Sequence, residues 1–160
     1  MSYYKKLDMN KFSNLKAGQN LTLETKSLIN IKYAAQALRN SQYGGYLIFT
    51  SGDLFIQVTP SVDLESKTTT DSIIVEVVSH AYVDYKENTE ELKDYGFNYN
   101  DDSKMWEGFF DIDMLEADDV ELIFSDMFSD LFNKTIPPLS IEIVLFDESY
   151  FESDENWTIH

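Results

Sequence analysis

At 160 residues, with 43% hydrophobic and 14% aromatic content, the chain can bury one core, which excludes intrinsic disorder and leaves little room for a second domain. It has no cysteine, which excludes disulfides, a cysteine-based zinc site and a thiol nucleophile. The net charge of −17 argues against nucleic acid or an anionic membrane as partner and for a basic protein.

That charge is unevenly placed. Residues 1–40 hold seven basic and two acidic residues, whereas residues 41–160 hold five basic and 27 acidic ones. A basic N-terminal segment can therefore fold over, or dimerise against, an acidic body. No signal-peptide h-region is visible, and no apolar run approaches the ~20 residues of a membrane span. A soluble, cytoplasmic protein is expected.

Residues 1–20 are polar and read as a mobile arm. From Thr22 a helix is expected, because Leu28, Ile31, Ala34, Ala35 and Leu38 recur every three or four residues and Gly44-Gly45 ends the pattern. YLIFTSGDLFIQV (46–58) has the punctuation of a hairpin that Pro60 closes, followed by a polar connection, SVDLESKTTTD. Ile73 to Val78 is β-branched and strand-like. Its Glu76 shares a face with Ile74 and Val78.

Asn88 and Glu91 form a capping box for a short helix, which Gly96 should end with a left-handed residue. A strand follows, then the turn NYNDDSK, then the strand MWEGFFDID with Gly108 inside it. Asp113 and Glu116 form a second capping box ahead of a long amphipathic helix. Ala117, Val120, Phe124, Met127 and Leu131 line its apolar face, and Asp118, Asp119, Glu121, Asp126 and Asp130 its back. Pro137-Pro138 ends that helix, and Leu139 to Phe146 is a last strand. The expected fold is α+β in the order α-β-β-β-α-β-β-α-β, with an antiparallel sheet of five to six strands. One domain spans 21–146, followed by an acidic-aromatic tail at 147–160.

No chemistry-bearing motif emerges. DIDMLEADD and NYNDDSKMWEG are rich in oxygen ligands, but neither has the Gly and Glu positions of a calcium loop. Ser79 and His80 adjoin on a strand and point to opposite faces, so they form no dyad. Phosphate-loop, dinucleotide and metalloprotease motifs are absent. The reading is of a protein without catalytic residues, cofactor or metal, which binds another protein. Apolar contact is assigned to Leu28, Ile31, Phe124, Phe128 and Phe132, and electrostatic steering to Asp118, Asp119, Asp126 and Asp130.

GGYLIFTSGDLFIQV, then VEVVSHAYV, then EELKDYGF resemble the type III secretion chaperones and the wider chaperone-like group often called TY-Chap. The likeness runs from Leu28 to Phe132. It implies a small, acidic, non-enzymatic protein, often a homodimer, that acts as chaperone or adaptor for a bacterial secreted effector or toxin. Such a chaperone holds an extended client segment on apolar patches. The alternative is an inhibitor or immunity protein whose acidic surface mimics a nucleic-acid backbone and blocks a basic toxin or nucleic-acid-binding protein.

Overall fold

The computed structural model describes residues 10–52, 54–63, 65–78, 89–102, 105–132 and 139–149. Among these residues, seven antiparallel strands form one sheet: β1 (Asn20–Thr25), β2 (Gly45–Ser51), β3 (Leu54–Asp63), β4 (Thr68–Val78), β5 (Asn98–Asn100), β6 (Met105–Asp111) and β7 (Leu139–Leu145). Their order across the sheet is β1-β7-β2-β3-β4-β6-β5. Among the described residues, three α-helices, α1 (Ile29–Arg39), α2 (Thr89–Asp94) and α3 (Val120–Phe132), join a 3-10 helix at Ile112–Glu116.

Strand alternation divides the sheet into two unlike faces. Leu47 and Phe49 of β2, Ile56 and Val58 of β3, Ile73, Val75 and Val77 of β4, and Leu139, Ile141 and Ile143 of β7 all point to one side and are buried. The helices close that side. Ile31, Ala34, Ala35 and Leu38 of α1, Leu92 of α2, and Val120, Phe124, Met127 and Phe128 of α3 complete a single core. Helical spacing aligns the apolar residues of α1 and α3 toward it.

The α+β class with an antiparallel sheet holds, with seven strands in place of five or six. The additional strand is β1, of which the part from Thr22 onward was expected to open the first helix. Leu21 and Leu23 alternate with polar residues and pair with Ile143 and Ile141 of β7. The helix itself starts only at Ile29. Pro60 does not close the hairpin: β3 continues to Asp63 and β4 starts at Thr68, so the expected polar connection is mostly strand. Proline is tolerated there because β3 pairs with β2 only through Leu54–Val58, and a bulge follows between Pro60 and Val62.

The long helix is shorter than expected. Asp111, not Asp113, caps the 3-10 turn, accepting from the Asp113 amide at 2.8 Å, and Ala117 is extended before α3 begins at Val120. Gly96 behaves as expected. At φ +95° it ends α2 in a Schellman motif, with the Gly96 amide donating to the Lys93 carbonyl and the Phe97 amide to that of Leu92. Of the expected N-terminal arm, residues 10–19 are described, and Phe12 within them is buried in the core. The Asn88 cap, Ser79-His80, Pro137-Pro138 and most of the tail lie outside the described residues. No described helix is long and apolar enough to cross a membrane.

Candidate functional site

Helix α3 combines most of the residues to which binding was assigned, and it separates them sharply. Phe124 and Phe128 are fully buried, and the Phe124 ring lies 4.9 Å from that of Phe49. Ile31 is fully buried, and Leu28 packs partly buried against the same cluster. These aromatics and aliphatics hold the sheet to the helices, and Ile31, Phe124 and Phe128, to which apolar contact was assigned, lie inside the core. The Phe132 side chain lies outside what is described. Among the described side chains of α3, the large apolar one that is exposed is Leu122.

The carboxylates stand on the opposite side. Asp118, Asp119, Asp126 and Asp130 are all exposed. The spacing of seven and four from Asp119 to Asp126 to Asp130 puts those three on one line along the helix. Tyr95, after α2, donates to Asp130 Oδ2. Burial, then that bond, then the charges of Asp130 and Asp126 push the tyrosine pKa above its usual range. No described cation pairs with the four carboxylates. The described ion pairs join Arg39 of α1 to Asp113 and Glu116 instead, while Lys32 Nζ donates to the Asp118 carbonyl at 2.9 Å. The basic first helix thus touches the acidic part of the chain just ahead of α3.

The position of one of these acids is unfavourable for folding. Asp130 lies in the last turn of α3, which has no basic residue, and there the helix dipole disfavours an anion. Asp119 at the other end is favoured by the same dipole.

A second surface was not anticipated from sequence as a unit. On the sheet face turned away from the helices, Ile48, Phe55, Gln57, Ile74, Glu76, Glu107 and Phe109 alternate with the core residues. None of them is buried, and Phe109 is 67% exposed. Only the direction of Glu76 toward the side of Ile74 was visible from strand alternation. The registry that brings Glu107 opposite it required the β4–β6 pairing.

A cleft of about 540 Å³ separates residues 10–17 from α1. Phe12, Lys16, Tyr33, Gln36, Asn40 and Phe146 are among its lining, and the described part of that lining includes no carboxylate or histidine. Among the described residues no three His, Asp or Glu side chains gather as a metal-ligand set. Comparison with family models, curated proteins and solved structures finds no match.

Proposed function

We propose that this protein is a non-enzymatic binding module that engages a basic partner protein through the acidic side of α3. In this reading it is an inhibitor or immunity-type protein, acting in the cytoplasm and covering the cationic surface of a toxin or nucleic-acid-binding protein. The observation that carries the reading is the line Asp119, Asp126 and Asp130. These carboxylates are exposed, form no described ion pair, and extend to the end of the helix where the dipole opposes them.

The chaperone or adaptor reading, with a secreted client, draws on a different feature, the exposed Phe109 on the sheet face turned away from the helices. The two differ in where the binding energy lies. Tagged protein would be used to capture partners from native lysate at low and high salt, alongside the Asp119→Asn/Asp126→Asn/Asp130→Asn variant. A basic protein lost at high salt and lost with the triple variant is the expected result, since exposed charge pairs are screened. Retention of the same protein by the triple variant at high salt would overturn the acidic-helix reading.

A further inference from the structure

Helical spacing builds one wall of the cleft between residues 10–17 and α1. Tyr33, Gln36, Ala37 and Asn40 follow one another at i, i+3, i+4 and i+7, so they share a stripe of α1 beside its buried stripe of Ile31, Ala34, Ala35 and Leu38. The small Ala37 keeps the middle of that wall low.

The facing wall is held by bonds of its own. Phe12 is buried in the core, its amide donates to Asn10 Oδ1 at 2.8 Å, and its carbonyl accepts from the Leu15 amide at 3.1 Å. The Lys16 amide donates to Gln19 Oε1 at 2.9 Å. The Gly18 amide donates to the Leu145 carbonyl at 2.9 Å, which ties the segment to the end of β7, where Phe146 adds an aromatic side chain to the lining. Both walls are therefore set before a ligand arrives, which lowers the cost of binding one. The volume of about 540 Å³ lies within the roughly 300–1,000 Å³ of small-molecule sites.

The chemistry of the lining narrows the ligand. The Tyr33 hydroxyl and the side-chain amides of Gln36, Asn40 and Gln42 line the cleft, and no described residue hydrogen-bonds to them. Each offers a donor and an acceptor at once, as a ligand hydroxyl does. Acidic residues are 29 of the chain's 160, but none is in the described lining, so nothing described there selects a cation. Lys16 is the one charged residue of that lining. Helix α1 ends beside it at Arg39, with Asn40 as its cap, and the negative end of the helix dipole offsets the pull of the lysine on an anion. A wholly apolar ligand would cover the amides without pairing them.

We propose that this cleft binds a neutral mono- or disaccharide, whose ring hydroxyls exchange hydrogen bonds with Gln36, Asn40 and Gln42 while the C–H face of a sugar ring lies on Tyr33 beside Ala37. None of the described lining comes from α3, so the site does not depend on the acidic line.

The test is an amide-resolved NMR titration of the full chain with glucose, galactose, mannose, N-acetylglucosamine, maltose and cellobiose. Inorganic phosphate, spermidine and a neutral serine–asparagine–glycine peptide serve as the other probes. Saturable shifts of residues 12–17 and 33–42 are expected with at least one sugar and with none of the other three. Affinity for that sugar should fall about fivefold or more in Gln36→Ala and in Asn40→Ala, the scale of one neutral hydrogen bond. Gln36 and Asn40 are exposed, so both variants keep the fold, which the unchanged remainder of the spectrum verifies. Ala37→Leu, which raises the floor, should weaken binding as well. The Asp119→Asn/Asp126→Asn/Asp130→Asn variant should keep the shifts, whatever becomes of the acidic-helix reading.

Unmoved cleft signals with every sugar would overturn the proposal, and so would undiminished affinity in Gln36→Ala/Asn40→Ala, which would place the sugar elsewhere. Cleft shifts with the peptide in place of the sugars would overturn it by assigning the cleft to a polar protein segment. Cleft shifts with phosphate that Lys16→Gln removes would overturn it by assigning the cleft to an anion.

Discussion

Gly108 faces the core from β6, opposite Val75, and its missing side chain makes room for aromatic rings. A Cβ there would stand 3.0 Å from the Phe97 ring and 2.7 Å from that of Phe110, two rings whose centroids are 5.8 Å apart. Gly108→Ala is therefore expected to destabilise the protein by about 1–3 kcal/mol through overpacking, seen as a lower midpoint in urea unfolding. An unchanged midpoint would mean that both rings shift freely. Glu76 supplies a pH-dependent counterpart. Its carboxyl holds a proton more readily in the folded chain than in the unfolded one, so the fold bears no penalty at acidic pH and an increasing one as pH rises through the carboxylate range. Glu76→Gln should therefore raise stability at neutral pH by about a few tenths of a kcal/mol, the scale of a like-charged cross-strand pair, seen as a higher melting temperature. The gain should vanish toward pH 4. At this scale Gly96 was legible because a left-handed helix end needs glycine, whereas the Glu76–Glu107 pair was not, because strand alternation gives a side chain's face and not its neighbour.

Among the elements, α3 shows how far periodicity reaches. The spacing of Val120, Phe124, Met127 and Leu131 marked a helix with one apolar side, and the helix is there. Whether that side was core or surface could not be read from the pattern, because the stripe is the same in both cases. Only the opposing sheet decides it. With Phe124 fully buried against Phe49, Phe124→Ala should lower stability by about 3–5 kcal/mol, measured by chemical denaturation, and any loss of binding should follow the loss of fold. The start of the helix was misplaced for a local reason. Asp113-x-x-Glu116 has capping-box spacing, but both carboxylates face Arg39 of α1, and a 3-10 turn takes their place. β1 was legible in principle. Leu21 and Leu23 alternate with period two, but the helical spacing that begins at Leu28 was extended backward to Thr22, across Leu23.

For the molecule as a whole, charge dominates what lies outside the core. A net −17, with Arg39 making the described ion pairs, leaves the folded chain under self-repulsion. The melting temperature should therefore rise between low and roughly 0.5 M sodium chloride, where screening reaches across only a few ångströms. A fall with salt would mean that attractive pairs such as Arg39 with Glu116 outweigh the repulsion. Fold class and acidity were both visible in composition and pattern. Strand order was not, since it depends on pairings between segments far apart in the chain.

That strand order also sets a timetable for synthesis. β7 lies between β1 and β2, paired along its length with both, and so the last strand described is a keystone within the sheet. Until residues 139–145 have left the ribosome, β1 has no neighbour and the edge of β2 is bare. Every strand from β2 to β6 can assemble during translation, but the first one made must wait for the last. Pairing at such sequence separation is slow, and the waiting edge is of the kind that other chains can add to. For this protein the interval between translation and sheet closure is the time of greatest exposure to aggregation and proteolysis.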